Sequence, residues 1–196
     1  MRRRVVIYGS RSGELPELTH LEAISGKVTA WDAIADLPNP QDALRRFSRG
    51  EAVPYRTEAQ NEYVRSLRGG ARRVTRWEPV MHSAKIVRAY SRVRQGGTDP
   101  DTKCWRLVAG GLARTLRAGS KSRTACRPIH PFAHRVITIR EAARLHSFPD
   151  TTVFPPSTSA AHVAIGNAVP PLMAESLARA LVPWIVVRTN SSNAAA

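Results

Sequence analysis

Apolar positions along this chain fall into short runs that proline and glycine interrupt. Val5–Tyr8 is a β-branched and aromatic run closed by Gly9 and Ser10, the pattern of a short buried strand. Beyond a loop containing Gly13 and Pro16, Thr29 is placed to cap a helix through Asp36, with Asp32 at its third position. Pro38 and Pro40 bar its continuation. Thr57 and Gln60 have capping-box spacing and predict a helix in which Ala59, Tyr63, Val64 and Leu67 share a face as far as Gly69 and Gly70. Ser83 opens another helix, ending at Gly96 and Gly97. Its apolar residues are Ile86, Val87, Tyr90 and Val93, and Lys85, Arg88, Arg92 and Arg94 stand opposite; such charge is also what a solvated face carries. From Asp99 to His134 the periodicity is lost, leaving the strand-like pieces Leu107–Ala109 and Leu112–Leu116 in a loop-rich stretch. Thr138 with Glu141 predicts a helix to His146 that presents Ile139, Ala142, Ala143 and Leu145, ended by Phe148 and Pro149. Pro170 and Pro171 open the last helix, striped by Leu172, Met173, Leu177, Leu181 and Ile185, and TNSSNAAA reads as a frayed tail.

Composition narrows the choice of partner. The chain has 196 residues, 42% of them apolar, which suits one ordinary domain or two small ones with a modest core. A formal charge of +15 exceeds what dispersal in water requires and points to a polyanion, with nucleic acid first. Only 4 of the 30 basic residues are lysine, and arginine's planar fork suits phosphate and guanine edges, although a GC-rich genome gives the same bias. Cys104 and Cys126 are too few for a disulfide framework and lack zinc-ligand spacing, so reduced thiols and no metal are expected; the six histidines are scattered. The longest apolar run, near Ala180–Val187, contains Pro183 and falls short of the roughly 20 residues a membrane helix needs. The arginines at the start precede no secretory core, so a cytoplasmic location is expected.

Two blocks, RVITIREAARLHSFPD from Arg135 and HVAIGNAVPP ending at Pro171, resemble the last two motifs of DNA cytosine-5 methyltransferases in their usual order. The opening MRRRVVIYGSR resembles a third, Q-x-R-x-R followed by a strand, from which the glutamine is missing. Carbon 5 of cytosine becomes nucleophilic only after a thiolate adds to carbon 6, and the base must leave the helix to be reached. In that family the thiolate lies in a Pro-Cys dipeptide, a Glu-Asn-Val segment meets the ring, and a Gly-rich turn holds S-adenosylmethionine. None of these segments occurs here. Cys104 lies in TKCWR and Cys126 in TACRP, so neither is assigned as nucleophile.

The resemblance implies roles residue by residue. Arg2 and Arg4 fall on the motif's two arginines, the second of which helps hold the flipped cytosine's carbonyl oxygen; an always-charged multiple donor suits that task. Asn167 and Ala168, in GNAVPP, fall on the part of the family that lines the S-adenosylmethionine pocket, with Gly166 allowing close approach. Thr115 and Leu116 resemble a Thr-Leu pair near the end of the target recognition domain, where the hydroxyl meets a phosphate. Arg114, Arg117, Lys121 and Arg123 around it would add salt-dependent affinity. Arg140 and Glu141 read as structural network residues, and His130 as the holder of a structural hydrogen bond.

The expected fold is mixed α/β: a fragment of a Rossmann-like methyltransferase domain with a small loop-rich target recognition domain. Residues 1–40 would give a strand and helix to the catalytic sheet, 41–134 the recognition region, 135–188 the two last motifs, and 189–196 a disordered tail. The first reading is the C-terminal portion of a bacterial DNA cytosine-5 methyltransferase, one subunit of a split enzyme. It would bind double-stranded DNA and share S-adenosylmethionine with a separate polypeptide that carries the cysteine, within a restriction-modification system. The rivals are a catalytically dead DNA-binding remnant or regulator, and a basic RNA-binding or scaffold protein.

Overall fold

The computed structural model describes residues 27–116 and 127–192 together with Ile7 and Gly9; from position 183 onward only the backbone is described. The expected strand at Val5–Tyr8 lies outside the described residues except for Ile7, which is 91% exposed. The chain divides into two compact units, Lys27–Ala168 and a second made from Met1–Gly26 with Val169–Ala196.

Within Lys27–Ala168, local sequence decides where helices start. Helix α1 (Ala30–Ile34) has the expected box, Thr29 accepting from the Asp32 amide while the Asp32 side chain answers the Thr29 amide at 2.9 Å. Helix α2 (Pro40–Ala43), which the pattern did not announce, uses Asn39 as cap and Pro40 at its first position, where no donor is lost. Helix α3 corrects an expectation. It spans Glu62–Arg68 with Asn61 as cap, because the Asn61 side chain reaches the Val64 amide at 2.8 Å. Gln60 turns instead to the Glu58 carbonyl, so the Thr57/Gln60 box does not form. Gly69 closes α3 in the left-handed region at φ 52°, a conformation costly for other residues.

Before and after α3, strands β1 (Val53–Pro54) and β2 (Arg73–Val74) pair antiparallel, Val53 opposite Val74, and both valines are buried. Helix α4 (Ala84–Ser91) is capped by Ser83 and stops at Arg92, short of the expected glycines. The pieces expected to be strand-like at Leu107–Ala109 and Leu112–Leu116 are not strands. Their place is taken by single bridges, Arg106 beside Ile129 and Ile129 beside Val136, which align three extended stretches without regular ladders.

Helix α5 (Ile139–Leu145) carries the Thr138/Glu141 box as expected. It ends in a Schellman turn: Phe148 N–H donates to the Ala143 carbonyl at 2.9 Å and Ser147 N–H to Arg144 at 3.1 Å, with Ser147 at φ 60°. Helix α6 (Thr158–Asn167) was not foreseen. Gly166 and Asn167 form its last residues. The main core joins Ala30 of α1, Leu107, Leu116, Ile137, Ile139, Ala142 and Ala143 of α5, Phe154, and Ala161 and Ile165 of α6. In the second unit, helix α7 (Pro171–Ser192) starts at the expected proline.

Candidate nucleic-acid interface

The block that organises this unit buries charge. Helix α5 reads IREAARL, and all its residues but Leu145 are buried. Arg144 is fully covered and forks onto two carboxylates, Asp150 at 2.7 and 2.6 Å and Asp36 at 3.2 and 3.0 Å, and also onto the Ala33 carbonyl. Burial alone would pull its pKa down, but the bonds and charges of Asp150 and Asp36 outweigh that and raise it. Arg68 adds a second cation to Asp36 at 2.7 Å, and Tyr55 donates to Asp150 at 2.6 Å. Arg140 instead satisfies carbonyls of Thr75, Pro149 and Thr152. Glu141 takes a bidentate pair from Arg135 at 2.8 and 2.7 Å, which overcomes its burial and holds its carboxyl below the usual range. Arg140 and Glu141 are network residues, as expected.

A second hub holds the stretch around Thr115. The Arg106 guanidinium donates to the carbonyls of Val93 (2.7 Å), Tyr90 (2.6 Å) and Ala133 (2.8 Å), and also to His130. Leu107 N–H then bonds Ile129 O at 3.0 Å, and Ala30 N–H and Trp31 N–H take the carbonyls of Gly111 and Ala109. The segment is thereby tied both to the start of α1 and to the block leading into α5. Arg114 and Thr115 stand exposed on it, next to buried Leu116, with the Arg114 guanidinium 5.3 Å from the Trp105 ring centre. Arg2, Arg4, Arg117, Lys121 and Arg123 lie outside the described residues.

Asn167 is exposed at the last position of α6. Ala168 follows as the cap, its N–H directed at the Ala164 and Ile165 carbonyls and its own carbonyl 3.0 Å from the His146 ring. Both backbone polar groups of Ala168 are thus engaged.

One cavity in this unit, about 680 Å³, is lined by residues that include Trp31, Pro40, Met81, His82, His130 and Phe132. Trp31 and Phe132 meet edge to face at 4.8 Å. The His130 Nδ1 accepts from the amides of Phe132 (3.1 Å) and Ala133 (2.9 Å), the structural bond foreseen for it. Burial pushes its pKa down to about 4, Arg135 and Arg106 assisting and Glu141 opposing, so its contact with Glu141 at 3.8 Å carries no ion pair at neutral pH. Cys104, 1% exposed, is disulfide-bonded, which corrects the expected reduced thiol, and the Tyr90 hydroxyl lies 3.3 Å from its sulfur.

The family model for the C-5 cytosine-specific DNA methylase matches residues 1–183. The chain belongs to that family. This methylase-family chain is 33% identical over 196 aligned positions to the type II methyltransferase M.XorII of Xanthomonas oryzae pv. oryzae, covering 90% of this chain and 45% of that protein. It is 29% identical to the type II methyltransferase M1.HphI of Haemophilus parahaemolyticus, covering 93% of this chain and 44% of that one. A crystal structure of a protein assigned as a DNA modification methyltransferase, encoded within an E. coli prophage, superposes with a TM-score of 0.67. It has 25% identity and covers 82% of this chain and 48% of that one. The chain therefore spans about half the length of the relatives it matches. Mixed α/β architecture and a family that uses S-adenosylmethionine and acts on DNA agree with the expectation. Among the described residues no helix is long and apolar enough to cross a membrane.

The pattern did not reveal Arg144, Arg106 or the cavity aromatics. A trace of Arg144 was present: two arginines four apart in a helix whose other positions are mostly small or apolar. Arg106 lay in the aperiodic stretch and left no signal.

Proposed function

We propose that these residues form the target-recognition and pocket-closing portion of a DNA cytosine-5 methyltransferase, with the cysteine nucleophile and most of the donor pocket on a separate polypeptide. The observation that carries this reading is the exposed Arg114–Thr115 pair, set on a segment hydrogen-bonded through Leu107 to Ile129, which in turn pairs with Val136 of the penultimate block. Cys104 supplies no thiolate, being buried and disulfide-bonded. Thr115 would meet a backbone phosphate of the duplex, with Arg114, Arg117, Lys121 and Arg123 adding charge around it. Arg2 and Arg4 would hold the flipped cytosine at its carbonyl oxygen, where charge builds as the ring is attacked.

S-adenosylmethionine, when bound, supplies the electrophilic methyl group. The exposed Asn167 amide fits as a polar contact to it, whereas Ala168, its backbone groups engaged, fits only as a van der Waals wall. A DNA-binding regulator without chemistry is the second reading.

The test is methyl transfer from radiolabelled S-adenosylmethionine to DNA. The chain alone should transfer none, and activity from it would overturn the partition. Mixing with a polypeptide bearing the Gly-rich, Pro-Cys and Glu-Asn-Val segments should restore transfer, and Arg4→Ala should slow the restored reaction by about a hundredfold, the usual cost of losing such a donor. DNA binding without restored transfer would select the regulator.

A further inference from the structure

Helix α4 carries a feature that the proposed site does not use. Lys85, Arg88 and Arg92 follow one another at i, i+3 and i+7, so they share one face, and Arg94 continues beyond the helix end. All four are exposed, and among the described residues none takes part in an ion pair, whereas Arg68, Arg135 and Arg144 do. The first turn of α4 holds no carboxylate. Of the acids just beyond it, Asp99 is buried with one oxygen held by the Thr102 amide and hydroxyl, both at 2.7 Å. Asp101 shares a shallow groove with Arg92 and Arg94, and no acid lines that groove besides Asp99 and Asp101.

Two further facts separate this face from an ordinary solvated one. The carbonyls at the end of α4, where a helix is normally negative, are covered by a cation: Arg106 donates to Tyr90 O and Val93 O. The helix is also locked to the segment bearing Arg114 and Thr115, through Arg106 itself, through Gly96 N–H to Arg106 O at 3.0 Å, and through the Gln95 side chain accepting from Ala109 N–H at 2.9 Å.

We infer that the exposed face of α4 is a rail for the sugar-phosphate backbone of duplex DNA, gripping it without regard to sequence and fixing the register of the Leu107–Leu116 segment on the duplex. This rests on the reading that the chain binds duplex DNA. From Lys85 to Arg92 the helix rises about 10 Å, the length of roughly three phosphate steps along one strand. The face presents no aromatic ring on which unpaired bases could stack, since Tyr90 is buried, so a single strand gains little there.

The test is the salt dependence of binding to a mixed-sequence duplex. Replacing Lys85, Arg88 and Arg92 together by Gln should reduce the slope of log K against log salt by roughly 2 to 3, since each phosphate contact contributes about 0.9. Affinity should fall by the same factor for target and non-target duplexes. A control with equal charge loss, Arg45, Arg46 and Arg49 to Gln, all exposed, should leave the slope within about one unit of wild type. Failure of the unaltered chain to bind duplex DNA would sink both this inference and the function it rests on. Normal binding with an unchanged slope in the α4 variant, an equal loss in the control, or a matching loss toward polyglutamate would sink the rail alone.

Discussion

His130 and Arg144 show what burial does to single side chains in this unit. In the unfolded chain His130 takes a proton near the ordinary 6.5, whereas burial in the fold holds its pKa down to about 4. Between those values the unfolded chain binds the extra proton, so stability is full above the ordinary value and drains away as pH falls through the window, by about 3 kcal/mol in total. Glu141, with its pKa held below 4.5, loses its contribution at lower pH still. Thermal melts of the wild type should therefore drop between about pH 6.5 and 4. His130→Asn, which keeps an acceptor for the two amides, should flatten that drop; an unchanged profile would refute the assignment. Arg144 poses the opposite problem, since removing it strands Asp36 and Asp150 without their shared cation. Arg144→Met should cost about 3 to 5 kcal/mol by denaturant titration, and Arg144→Lys should recover only part because an ammonium cannot fork onto two carboxylates.

Among the elements, α5 is short but fixed at both ends. Thr138 and Glu141 exchange bonds of 3.1 and 2.7 Å at its start, and the Schellman turn closes it. Thr138→Ala should lower stability by about 1 to 2 kcal/mol, the upper part of the usual range for a cap, because Thr138 is 2% exposed and water cannot take its place. A loss indistinguishable from that of an exposed Thr→Ala control would show that Arg135 alone holds Glu141 in place. The contrast with α3 is instructive. The pattern pointed to Thr57/Gln60, and Asn61 serves instead: its side chain bonds both the Val64 amide and the Asp32 carbonyl, a partner 29 residues away that no local reading could supply.

At the scale of the molecule, charge is sorted by depth. The guanidinium groups of Arg106, Arg135, Arg140 and Arg144 are matched to carboxylates or carbonyls, while the exposed ones on α4 and at Arg114 remain available to a polyanion. Among the described residues, much of the positive charge faces solvent. Some of it is spent within the fold, which composition alone could not disclose.

The order of residues by itself determined the caps at Thr29, Ser83 and Thr138, the proline start of α7, the basic character and the family, because each is written within a few consecutive positions. Tertiary structure decided which arginines serve the fold and which face outward. Arg144 meets Asp36 across 108 positions and Arg106 meets Ala133 across 27. A buried charge is defined by what surrounds it in space, and those surroundings exist only once distant segments have packed.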